Sequence, residues 1–166
     1  SDYFYTRNYT YNYSDNVWAN ENAKQTVTSE NYKPWDANEH KLEHLADGDR
    51  TTRSHTNFTP TEAKPFIFTV DMGEEKTVSR MVIYSQNRSD LMIVKAFTLY
   101  GSKDGINFFE VYKEDDAPNK GSTVTVNFPE STFRYYKMEV TRSSGRYIII
   151  DEIEMWKIFE INGGTQ

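Results

Sequence analysis

The chain has 166 residues, with 12 Tyr, 10 Phe, no cysteine and a formal net charge of −6 at pH 7. That length suits one domain with a real core. The acidic balance argues against nucleic acid and anionic membrane surfaces as partners, and no apolar run approaches the ~20 residues a membrane-spanning helix needs. Tyr, Phe, Thr and Val are common while Leu is scarce, which favours strands over helices. A secreted domain without disulfides needs another staple, and a metal is one candidate. The sequence starts at Ser1 without a signal peptide, so it reads as a piece of a longer protein.

Residues 1–22 form an aromatic N-terminal segment. Tyr9, Tyr11 and Tyr13 alternate as in a strand with one aromatic face, and the segment is expected to dock on the domain that follows, 23–158. Residues 159–166 read as a tail. Gln25–Ser29 reads as a short strand, Pro34-Trp35-Asp36-Ala37-Asn38 as a loop, and Glu39–Leu45 as a helical turn. The stretch His44–Phe58 is too polar for a buried strand. Asp47 and Asp49 flank Gly48, with Thr52 three residues on, so several oxygens surround one tight turn. Hard cations such as Ca²⁺ take ~6–8 oxygen ligands of this kind; the alternative is a solvated turn. The stretch lacks an EF-hand loop, so any cation site has to be completed from elsewhere. His55 and Phe58 leave the same loop as a polar and an aromatic group.

Beyond it the strand pattern is regular. Pro65–Asp71 and Thr77–Ser85 read as strands separated by Met72-Gly73-Glu74, and a polar loop spans Ser85 to Leu91. Lys95–Ser102 and Phe108–Tyr112 flank the hairpin signal Lys103-Asp104-Gly105. Ser122–Phe128 is expected to end at Pro129, Phe133–Thr141 alternates again, and Ser143-Ser144-Gly145 turns the chain into Tyr147–Lys157. Roughly eight strands with frequent turns mean an all-β sandwich or jelly roll. Glycosidase chemistry needs two carboxyl groups set across a cleft. Glu74-Glu75 and Asp115-Asp116 are instead adjacent in turns, where side chains diverge, and no nucleophile motif appears.

Four motifs then fall in one order: Asp47-Gly48-Asp49-x-x-Thr52; Pro65 to Asp71 followed by Met72-Gly73; Gly101-Ser102-Lys103-Asp104-Gly105; and Ile150-Asp151-Glu152-Ile153-Glu154. In this the chain resembles the F5/8 type C (discoidin-like) domains, and among them the galactose-binding modules of carbohydrate-binding module family 32. The resemblance covers about Gln25 to Lys157. It implies an all-β, eight-stranded jelly-roll β-sandwich without catalytic activity. It implies one structural Ca²⁺ on the His44 carbonyl, Asp47, Asp49, Thr52, the Asp151 carbonyl and Glu152.

For the ligand the resemblance implies His55 and Arg88 on the hydroxyls of a terminal galactose or N-acetylgalactosamine, with Phe58 on its apolar face. Asn87 or Gln86 replaces Arg88 if the register shifts by a residue or two, and Tyr147 is a second aromatic wall. Ser54 stands where the family commonly has Trp. The implied setting is a monomeric module of a bacterial extracellular or cell-surface protein, tethering it to glycan. The alternative is a protein- or membrane-binding adhesion module, for which Leu91-Met92-Ile93 is the one apolar candidate near a loop tip.

Overall fold

The computed structural model describes residues 18–21, 24–85 and 90–158. The segment holding Tyr9, Tyr11 and Tyr13, the tail 159–166 and residues 86–89 lie outside the described residues. Among the described residues ten strands occur: β1 (Trp18–Asn20), β2 (Thr26–Thr28), β3 (Ser54–His55), β4 (Phe66–Tyr84), β5 (Val94–Ser102), β6 (Phe109–Glu114), β7 (Asn119–Lys120), β8 (Thr123–Ser143), β9 (Ile149–Ile150) and β10 (Glu152–Ile158). The helical turn expected over Glu39–Leu45 is a 3-10 turn at Leu42–Ala46.

All pairings are antiparallel. The main sheet runs β1-β10-β4-β8-β5-β6, with β2 on β4 and β7 on β8, and β3 pairs separately with β9. Strand β4 pairs with β2 and the second half of β8 along Phe66–Asp71, then with β10 and the first half of β8 along Lys76–Tyr84. The sheet therefore folds over through β4 and β8 into the two layers of a jelly-roll sandwich. Phe66, Phe68 and Val70 alternate inward from one layer, and Met81, Ile83, Val124 and Ile153 come from the other. Full burial of such side chains contributes about 1.5–3 kcal/mol each.

Two expected breaks are corners instead of ends. Between Asp71↔Tyr135 and Lys76↔Phe133, four β4 residues face one residue of β8, and Gly73 takes the positive φ of 83° that the corner requires. Asp71 holds that corner by accepting from the Gly73 N–H at 2.9 Å and from Arg134 at 2.8 and 3.1 Å. Pro129 does not terminate its strand. Asn127 pairs with Arg80 and Ser131 with Val78, so Phe128, Pro129 and Glu130 face Ser79 alone. A proline lacks the N–H a ladder needs, and this bulge asks none of it.

Candidate functional site

Three segments distant in sequence are zipped together at one end of the sandwich. Ser54 pairs with Ile150 and His55 with Ile149, and the buried Ser54 hydroxyl donates to the Ile150 carbonyl at 2.9 Å. The Thr56 N–H donates to the Ile148 carbonyl (3.0 Å), and the Ile148 N–H returns to the Thr56 hydroxyl (2.9 Å). On the other side of β3 the Trp35 N–H donates to the His55 carbonyl at 2.8 Å, and the Asn57 N–H to the Lys33 carbonyl at 2.9 Å. The Tyr32 hydroxyl donates to the His40 carbonyl at 2.5 Å and accepts from the His55 N–H at 3.1 Å. Burial pushes that phenol up to about 12, so it stays protonated and keeps donating.

This zip builds an aromatic cluster. Trp35, 57% exposed, lies 5.3 Å from the His55 ring and meets Tyr147 edge-on at 5.1 Å; His55 and Tyr147 are 5.6 Å apart. Tyr147 sits in the left-handed backbone region (φ 43°), a strained conformation for a bulky residue, with its N–H held by the Thr59 hydroxyl at 3.0 Å. An open cleft of about 370 Å³ adjoins the cluster, lined by Trp35, Asp36, Glu39, His40, Arg53 and His55 over Met92 and Ile149. His40 packs on His55 at 5.2 Å and accepts the Asp36 N–H on Nδ1, so its Nε2 carries the proton, 3.7 Å from Glu39. Burial first, then the neighbouring His55 and Arg53, hold the His40 pKa below its ordinary value. His55 is the opposite tautomer, because its Nδ1 lies 2.7 Å from the Thr56 carbonyl, which can only accept.

The expected ligand residues divide. His55 and Tyr147 meet. Phe58 is turned onto the core edge, edge-to-face with Phe66 at 6.4 Å and under the Lys64 ammonium. Arg88, Asn87 and Gln86 lie outside the described residues. Of the apolar Leu91-Met92-Ile93 candidate, Met92 lines the cleft, Ile93 is buried in the core, and Leu91 is half-exposed. The sequence reading passed over Trp35, His40 and Arg53; the available signal was a large aromatic beside Pro34 in a polar loop with no apolar neighbours to bury it. A second, larger cavity of about 680 Å³ lies between Pro60–Glu62 and Ala96, Thr98, Lys113, Thr141 and Arg142. Its lining has charges of both signs and no exposed aromatic face.

Beside the cleft, Asp47 ends the 3-10 turn and Gly48 takes a φ of 80°. The Gly48 N–H points at both Glu152 oxygens, 3.3 and 3.1 Å away, across 104 residues of sequence. Glu152 is only 2% exposed; burial and then the adjoining Asp47 carboxyl push its pKa up to about 8. Asp47 accepts from the Thr52 hydroxyl at 2.6 Å. The Asp49 carboxylate faces away, holding the Thr51 N–H (2.8 Å) and hydroxyl (2.5 Å), while its carbonyl accepts from the Thr52 hydroxyl at 3.0 Å. Among the described residues no three His, Cys, Asp or Glu side chains gather closely enough to hold a metal. Two carboxylates do meet, with a hydroxyl and a carbonyl beside them, and such an oxygen-only set fits a hard cation. His44 contributes an imidazole bond to the Arg53 carbonyl at 2.9 Å, and Asp151 is fully buried with its N–H on the Tyr84 carbonyl at 2.7 Å.

The fold defines the class: a jelly-roll sandwich of the carbohydrate-binding-module type. A module from Clostridium perfringens, CpGH89CBM32-5, solved with GalNAc-β-1,3-galactose, is similar at 18% identity and TM-score 0.68, over 82% of this chain and 96% of that one. The family 32 module of C. perfringens NanJ, in complex with galactose, matches at 16% and 0.66, over 81% and 94%. Chitosan-binding module 2 of a Paenibacillus sp. IK-5 chitosanase/glucanase, in complex with chitotriose, matches at 17% and 0.66, over 82% and 98%. At these identities the similarity is one of fold. No curated protein matches the chain. The family model described as NedA-like, galactose-binding domain, of the F5/8 type C group, matches residues 44–138, and the chain belongs to that family.

The Tyr32 hydroxyl ties the cleft's two walls together. Tyr32→Phe takes a partner from the His40 carbonyl and the His55 N–H, and is expected to lower stability by ~1–3 kcal/mol. Urea unfolding of the two proteins measures the difference.

Proposed function

We propose that this domain is a non-catalytic carbohydrate-binding module that holds a terminal galactose or N-acetylgalactosamine-type sugar in the cleft beside the Trp35–His55–Tyr147 cluster. It thereby tethers a larger extracellular or cell-surface bacterial protein to glycan. The observation that carries this reading is Trp35, a mostly exposed indole braced edge-on by Tyr147 at the mouth of a cleft with convergent polar groups. An aromatic face suits the apolar side of a pyranose, and His55 and His40, which line the same cleft, offer ring nitrogens to sugar hydroxyls. Trp35 takes the stacking role that the sequence motif suggested for Phe58. Arg88, with Asn87 beside it, stays a hydroxyl partner on the family resemblance alone. The galactose series is preferred because the matching family model is that of a galactose-binding domain; the similar modules were solved with galactose-series sugars and with chitotriose alike. One monosaccharide contact is weak, so such a module acts by raising the local concentration of its tethered partner.

The proposal includes a structural Ca²⁺ on Asp47, Thr52 and Glu152, with Asp49 and the His44 and Asp151 carbonyls completing the set. The ion neutralises the facing carboxylates. Their groups come from opposite ends of the chain, where a clip closing a long loop stabilises most.

Calorimetric titration with methyl β-galactoside should show binding that methyl β-glucoside lacks, because donors fixed for an axial hydroxyl are left unpaired by its epimer. Trp35→Ala should weaken galactoside binding by roughly tenfold or more while Phe58→Ala lowers stability instead. Equal affinity of wild type and Trp35→Ala would remove the cleft from the account.

For the ion, EDTA should lower the melting temperature and excess Ca²⁺ restore it, since a ligand of the folded state alone stabilises that state. Asp47→Asn should abolish the response. A melting temperature indifferent to both reagents would rule the ion out.

A further inference from the structure

Arg53 immediately precedes strand β3, and both it and His55, two residues on, line the cleft. The Arg53 side chain is half-buried there and its guanidinium has no hydrogen-bond or ion-pair partner among the described residues. Four of the five other described arginines differ. Arg134 grips Asp71, Arg142 reaches the Asp115 carbonyl and the Asp116 carboxylate, Arg80 reaches Asn127, and Arg50 lies 3.5 Å over the Tyr84 ring.

The protein does not lack anions to pair with Arg53, having 25 Asp and Glu against 19 Lys and Arg. Neither of the two carboxylates at the cleft pairs with Arg53. Asp36 accepts the Asn38 and Glu39 N–H groups at 2.8 and 3.1 Å, and Glu39 lies 3.7 Å from the His40 Nε2. A partly desolvated cation without a counterion is unfavourable, and in an acidic protein it is conspicuous. A second cation, Arg146, lies beside the cluster, its guanidinium 5.9 Å from the Tyr147 ring centroid. The nitrogen-bearing side chains of Arg53, His40 and Arg146 thus lie around the aromatic cluster, and His55 belongs to it. A guanidinium offers a planar fork that matches a carboxylate or a sulfate with two parallel bonds, which a neutral hydroxyl cannot fill.

We propose that the cleft selects an acidic galactose-type sugar, whose carboxylate or sulfate pairs with Arg53 while its ring lies on Trp35. This rests on the glycan reading of the same cleft. The anion supplies the counter-charge that the fold withholds, and the ring supplies the apolar face.

Three probes separate the possibilities: methyl β-galactoside, methyl β-galacturonide and methyl β-galactoside 6-sulfate, titrated calorimetrically into wild type, Arg53→Gln and Arg53→Lys. Wild type should bind one of the acidic probes roughly tenfold or more tightly than the neutral one, the gain expected of a charge-assisted pair. Which acidic probe gains identifies the anion. The preference should shrink in 0.5 M salt to a degree set by screening at a half-buried site. In Arg53→Gln the ratio of acidic to neutral affinity should fall to about one, and Arg53→Lys should keep part of it. Binding of the neutral probe at the same strength as both acidic ones would overturn the acidic selectivity and leave the glycan cleft standing. A preference that survives in Arg53→Gln would overturn the role of Arg53. Failure of all three probes to bind would overturn this proposal together with the glycan reading.

Discussion

The site depends on one short pairing, that of Ser54-His55 with Ile149-Ile150. Two residues of strand are too few to hold themselves, and the buried Ser54 hydroxyl on the Ile150 carbonyl adds a bond that the ladder alone does not supply. Through this pairing a loop near residue 35, a strand near 55 and a turn near 147 share one backbone network. Each ring of the aromatic cluster comes from a different one of those segments, so its geometry is set by main-chain register more than by side-chain packing. A site built this way is preorganised, and a ligand does not have to order it at the cost of binding energy.

The second tie is electrostatic and lies immediately behind the first. The Gly48 amide and the Asp47 carboxyl meet a Glu152 carboxyl that is almost without solvent, at the junction where β9 passes into β10. Once both are ionised, which for Glu152 comes only as pH rises through about 8, repulsion between the two groups opposes the approach of the loop to β10. A bound hard cation would reverse that sign, turning the same two groups into a clip between residue 47 and residue 152. Clip and cleft are three residues apart on one segment, Thr52 to His55, so anything that fixes the loop also fixes the ligand side chains. On the proposed reading, a bound cation would shape the site without touching the sugar.

The strands were legible because their inward faces alternate, as in Phe66, Phe68 and Val70, and the layer count followed from the turns between them. The continuity of β4 and β8 was not, because Gly73 and Pro129 are chain breakers in isolation. Only pairing shows that each sits where the ladder is already interrupted. The pair Asp47 and Glu152 was legible through family order, whereas the outward turn of the Asp49 carboxylate onto Thr51 is a local hydrogen-bond choice that spacing does not encode. Phe58 matched the family's aromatic position yet packs on Phe66, because an apolar ring at the core edge gains more by burial. Trp35 was hidden for the opposite reason. A lone aromatic in a polar loop has no periodicity, and its worth appears only once His55 and Tyr147 are brought against it.

The central claim is that glycan is read at the junction of these three segments rather than on the open face of the sheet. Amide and indole chemical shifts of the ¹⁵N-labelled domain, followed during addition of a galactoside, address it residue by residue. The account predicts that the largest changes fall on the Trp35 indole N–H and the amides of His55, Met92 and Tyr147, with β5 and β6 silent. Changes concentrated instead on Thr98, Lys113 and Thr141, around the larger cavity beside Pro60, would contradict it.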